Sequence, residues 1–177
     1  MEEMEVPTEH LHEAIKEKAE ESKERWTRYA AVSTAIMAVF AALGSLTAGH
    51  HSNEALIEQI KASDHWAYYQ AKGIKAEIAQ SIILQHASAN VEPPQEIKAK
   101  QIKYKGEQEE IMKEAKEAEK QSELHLERHV TIARSVTLFQ IAISISAIAL
   151  LTKRSALWYF SLAIAVGGAV LFFMGNF

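Results

Sequence analysis

Cysteine is absent from the 177 residues, which excludes disulfides, thiolate nucleophiles and cysteine metal sites. Proline is scarce, and of the three only the adjacent Pro93 and Pro94 fall in the body of the chain. A segment rich in Ala, Glu, Lys, Gln and Ile therefore reads as helix on both sides of one break at 91–94, because these two residues cannot continue a helix. Glycine is also sparse, and no phosphate-binding glycine loop is present. Gly167 and Gly168 lie inside an apolar run. No basic stripe stands out against a net charge of −4, so nucleic acid is not an expected partner.

The sequence does contain three uncharged, mostly apolar runs, at 29–49, 135–152 and 155–177. Each is long enough, at helical rise, to cross or nearly cross a hydrocarbon layer of about 30 Å. The expected fold class is an all-α membrane protein with three transmembrane helices. A long extramembrane antiparallel helical hairpin joins the first to the second, spanning 50–134 with its tip at 91–94. An amphipathic helix over 1–28 precedes the first span, capped by Thr8 with Glu9 and Glu13 at its positive end and His10 and His12 nearby. Pairs such as Glu21 with Arg25 and Glu24 with Arg28 suit an exposed helical face. The acidic start lacks the basic and apolar regions of a cleaved leader, so the first span reads as an uncleaved anchor.

Lys23, Arg25 and Arg28 precede the first span, and no Lys or Arg follows it between His50 and Ile60. The amino end is therefore expected in the cytoplasm, with Lys153 and Arg154 on the same side and the hairpin outside. Arg128 and Arg134 oppose this assignment. Trp26, Tyr29, Trp158 and Tyr159 stand where interfacial aromatics are favoured.

Within the hairpin, heptad spacing traces a seam through His50, Asn53, Ile57, Ile60, Asp64, Ala67, Ala71, Ile74, Ile78, Ser81 and Gln85. The return limb offers Ile97, Gln101, Tyr104, Gln108, Ile111, Ala115, Ala118, Ser122, His125, His129 and Ile132. On this register Trp66 and Tyr69 point away from the opposite limb, as a docking surface or as packing between protomers. A hairpin of this quality is marginal alone, and self-association or shielding by another protein is expected.

The run Asp64-His65-Trp66-Ala67-Tyr68-Tyr69-Gln70-Ala71-Lys72, set between one span and a hairpin closed by two further spans, resembles a bacterial membrane family. That family is catalogued as a domain of unknown function, number 4337. The resemblance covers nearly the whole chain, and Trp66, Tyr68, Tyr69, Gln70 and Lys72 are its most specific part. It implies a bacterial cell membrane and brings no activity or catalytic residue with it.

His125 and His129 share a helix face, and an antiparallel hairpin returns them toward His50, His51 and Glu54. His50, His125 and His129 could hold zinc or copper, or titrate near neutral pH. The plainer reading, with no cofactor, is polar filling of a weak seam. Ladders of small residues, Ala30, Thr34, Ala38 and Ala42 in the first span and Ala163 with Gly167 in the third, suit tight helix packing. No span interior carries an ionisable residue, so ion-coupled transport is disfavoured, and Gln140, Ser144 and Ser146 could line a pore only in an oligomer. No nucleophile with a base and no carboxylate pair in a pocket suggests an enzyme. The sequence is best read as a non-enzymatic scaffold or accessory protein of the bacterial inner membrane. Its expected partners are the lipid bilayer, further copies of itself, or an unidentified membrane or periplasmic protein. The alternatives are an oligomeric channel and a histidine-based metal or pH sensor.

Overall fold

The computed structural model describes residues 25–176, and the expectations for residues 1–24 lie outside this range. The described residues form three helices and no strand: α1 (Arg25–Ser88), α2 (Gln95–Thr152) and α3 (Ser155–Asn176). Each contains a stretch long and apolar enough to cross a membrane.

The two breaks have local causes. At the end of α1, Asn90 adopts a left-handed φ of 54° and the Val91 N–H returns to the His86 carbonyl at 2.9 Å. The Asn90 N–H bonds the Ala87 carbonyl at 3.1 Å, completing a Schellman cap that leaves Pro93 and Pro94 beyond the helix. The Pro94 carbonyl then accepts from the Ile97 N–H at 3.0 Å and starts α2. Lys153 repeats the left-handed turn at 54°, with the Arg154 N–H on the Ala149 carbonyl at 3.1 Å.

Burial along α1 follows one alternation of four and three residues. It runs through Ala30, Thr34, Met37, Ala41, Gly44, Ala48, His51, Ala55, Glu58, Ala62, His65, Tyr69, Lys72, Ala76, Ala79 and Ile83, all buried or half-buried. Along α2 the same rhythm runs from Ile97 to Leu150 and passes through every return-limb position expected from the sequence. A 3.5-residue repeat keeps one face of a helix turned toward a neighbour over its length.

The chain divides into two compact units, residues 53–126 and, among the described residues, 25–52 with 127–176. In the first of these, segments of α1 and α2 lie side by side, and their contacts run in opposite chain order. Ser122 meets Ala55, Trp66 meets Glu119, Lys72 meets Glu107 and Gln80 meets Gln101. The seam of α1 is Ala55, Ala62, Ala76 and Ala79, with Gly73 between them. This corrects the seam expected for this limb: Ile57, Ile60, Ile74 and Ile78 are exposed. Small side chains admit a closer approach than isoleucine, close enough for the Ser122 hydroxyl to donate to the Ala55 carbonyl at 2.8 Å.

The second unit packs all three helices. Phe139 stacks on Phe40 at 5.8 Å between ring centroids, and Phe172 meets Phe40 edge-on at 5.9 Å. Met37, Ala41, Val136, Ala142, Ile143 and Ala165 complete the core. Buried Thr34 donates to the Ala30 carbonyl at 2.7 Å, so the Ser146 hydroxyl donates to Thr34 Oγ1, also at 2.7 Å. Two hydroxyls that apolar surroundings would strand are thereby paired across α1 and α2. α3 is buried along Ser161, Ala165, Gly168 and Gly175.

The expected small-residue ladders are partly corrected. Ala30 and Thr34 are buried, Ala38 is half-buried, and Ala42 is exposed, its place in the core taken by Ala41. Successive steps of four turn about 40° too far each time, so three steps leave the packed face. Ala163 is likewise exposed, and Gly167 is only in ordinary contact with Leu138, whereas a Cβ on Gly168 would press on the Ser135 carbonyl at 3.3 Å.

Candidate docking surface

The aromatic run of α1 divides between two faces. Trp66 and Tyr69 are half-buried and pack edge to face at 5.4 Å between ring centroids. The Trp66 Nε1–H donates to Glu119 Oε1 at 2.8 Å, and the Tyr69 carbonyl accepts from Gln108 Nε2 at 3.4 Å. These residues face α2, which corrects the expectation that Trp66 and Tyr69 point away from it. Tyr68 and Gln70 are exposed.

Lys72 closes the cluster. Its Nζ lies 2.5 Å from Glu107 Oε2, 5.0 Å from the Tyr68 ring centroid and 5.5 Å from that of Tyr104. The hydrogen bond to Glu107 holds the ammonium above its usual 10.5, and the same bond from Lys72 holds the Glu107 carboxyl below its usual 4.5. A raised amine stabilises the fold below its unfolded pKa, and a lowered carboxyl stabilises it above its own. The pair therefore supports the fold between those limits, and the support is lost in acid as Glu107 protonates and in strong base as Lys72 deprotonates. Gly73 leaves room for this clasp, since a Cβ there would stand 2.7 Å from Gln108 Nε2. The Trp66 to Lys72 run thus fixes how α1 and α2 align.

The free face lies elsewhere on α1. Asn53, Ile57, Ile60, Asp64, Ala67, Ala71, Ile74, Ile78 and Gln85 are spaced by multiples of the heptad pattern, and all are exposed. Ile57 sits two positions after Ala55, about 200° around the helix, so this stripe lies opposite the seam. Asp64 stands in its middle, and among the described residues it has no ion pair. The exposed face of α2 has a different character, with Lys105, Glu109, Lys113, Lys116 and Lys120. Heptad spacing assigns the isoleucines of this stripe to the seam, which hides it as a surface in the sequence. The competing alanine ladder that begins at Ala30 was the signal available.

The histidines are placed as follows. His50 is exposed, with its ring 5.6 Å from that of His51, and His129 Nδ1–H donates to the Ala48 carbonyl at 2.8 Å. His125 is half-buried in the other compact unit. Among the described residues no three His, Cys, Asp or Glu side chains are grouped to hold a metal ion. Gln140 and Ser144 are exposed on α2, whereas Ser146 is buried against Thr34.

The family described as Domain of unknown function (DUF4337) matches residues 26–177. The chain belongs to this family. The matched range takes in the Trp66 to Lys72 clasp and, from its second residue, α1 together with α2 and α3. No curated protein and no solved structure matches the chain.

Proposed function

We propose that this DUF4337 protein is a non-enzymatic scaffold or accessory protein of a bacterial inner membrane, docking a helical partner along the outer stripe of its α1. Lipid supplies the solvent for three spans. The support for this is the second ladder of α1, where Tyr29, Val32, Ile36, Val39, Leu43 and Leu46 are all exposed, together with Val166, Val170, Phe173 and Met174 of α3. Fully burying one such side chain is worth about 1.5–3 kcal/mol, so a continuous face of them is unsuited to water.

Trp158 Nε1–H donates to the Ser33 hydroxyl at 3.1 Å and its ring lies 6.4 Å from Trp26. That contact belongs at an interface, with Arg25, Arg28, Lys153 and Arg154 on the cytoplasmic side against Arg128 and Arg134 on the other. Residues 53–126 then lie outside the cytoplasm.

The observation that carries the docking reading is the exposed heptad stripe, Ile57, Ile60, Ile74 and Ile78 around Asp64. Coiled-coil partners engage such a stripe by inserting apolar side chains at the same spacing. Asp64, at the centre of the stripe, favours a partner helix that carries Lys or Arg at that level.

Gentle solubilisation from the source membrane followed by native mass measurement should find a second protein in fixed ratio. The Ile60→Glu, Ile74→Glu variant should lose it with an unchanged melting temperature, since both side chains are exposed. Equal mass for variant and parent would reject the docking surface.

A further inference from the structure

We infer that two copies of this chain pair inside the bilayer through the Thr137, Gln140 and Ser144 face of α2. The inference rests on the membrane reading above, but not on the docking stripe. Gln140 and Asn176 are the only side-chain amides in the three apolar runs. Asn176 bonds the Phe172 carbonyl of its own helix at 2.8 Å. The Gln140 side chain is exposed and has no hydrogen bond among the described residues.

Its neighbours on that face are satisfied. Thr137 Oγ1 donates to the Ala133 carbonyl at 3.0 Å, and Ser144 Oγ to the Gln140 carbonyl at 2.9 Å. Gln140 lies six residues from Arg134, about 9 Å along the helix, so its amide stands in hydrocarbon. Lipid tails can neither donate to it nor accept from it.

A second copy meets the need with no other chemistry. An amide carries both donors and an acceptor, so two of them related by a two-fold axis satisfy each other, as an isologous interface requires. The spacing of 137, 140 and 144 is that of one helix face, flanked by exposed Ile141 and Ile148. The small Thr137 and Ser144 side chains let the two backbones come close enough for the glutamines to meet. The opposite side of α2 is already taken, by Thr34 on Ser146 and by Gly168 against Ser135 and Phe139.

The absence of cysteine makes the test direct. In full-length protein reconstituted in phosphatidylcholine vesicles, Ser144→Cys should form a disulfide-linked dimer under mild oxidation. Val39→Cys, on the exposed face of α1, should form far less. Adding Gln140→Leu should weaken pairing roughly ten-fold by dilution into lipid, and Gln140→Asn should retain part of it. Equal cross-linking at Ser144→Cys and Val39→Cys, or a dissociation constant unmoved by Gln140→Leu, would overturn the inference. The Ile60→Glu, Ile74→Glu variant should cross-link at Ser144→Cys like the parent, which separates this interface from the docking stripe.

Discussion

Substituting Gly44 by leucine should lower the stability of the protein by about 3 kcal/mol, whereas Gly49→Ala, five residues later on the same helix, should raise it by about 0.5–1 kcal/mol. Glycine in a helix interior costs entropy at both positions, so the intrinsic preference favours substitution at both. The surroundings reverse the sign at Gly44. A Cβ there would lie 2.7 Å from Val136 Cγ2 and 3.6 Å from the Phe172 ring. Val136 is β-branched and held in its rotamer, so it cannot yield without moving α2. At Gly49 nothing lies within 4 Å. Thermal unfolding in detergent micelles measures both, and the Gly44→Ala, Val136→Ala pair should recover part of the loss as a non-additive coupling. Equal effects at Gly44 and Gly49 would show that the three helices are not packed this closely.

Removing the Trp66 side chain should cost the unit formed by residues 53–126 about 2 kcal/mol. Full removal of a buried tryptophan costs more, but this ring is half-buried and part of its surface stays in water. Trp66→Phe should cost about 1 kcal/mol, because it keeps the ring contact with Tyr69 and loses the bond to Glu119. Tyr68→Ala should cost less than either, since Tyr68 is exposed and contributes mainly its ring face to Lys72. Amide exchange across 53–126 gives the ranking. A neutral Trp66→Ala with a destabilising Tyr68→Ala would mean that the aromatic run faces the other way.

That orientation could not be recovered from the sequence, although much of the architecture could. The break at Pro93 and Pro94 and the turn at Lys153 and Arg154 were legible, because proline chemistry and an interruption of apolar sequence mark them directly. The return limb was legible from Ile97 to Ile132, because α2 carries one heptad ladder, with charges filling its other faces. α1 carries two, an alanine ladder and an isoleucine ladder about 200° apart. Periodicity alone ranks them equally, and the larger aliphatics favour the face that the structure leaves exposed. At Ala55 and Ala62 the seam is built from alanine because the opposing Ala115, Ala118 and Ser122 are small as well, so the gain there comes from close approach. With the alanine face as the seam, Trp66 and Tyr69 turn inward, and the isoleucine face is the one left exposed. The small-residue ladders of α1 and α3 failed for a related reason, since steps of four drift around a helix while steps of three and four together do not.

Whether lipid solvates the exposed faces of α1 and α3 is tested most directly by washing membranes with alkaline carbonate before high-speed sedimentation. The chain should stay entirely with the pellet and enter solution only with detergent. Recovery in the carbonate supernatant would contradict the account.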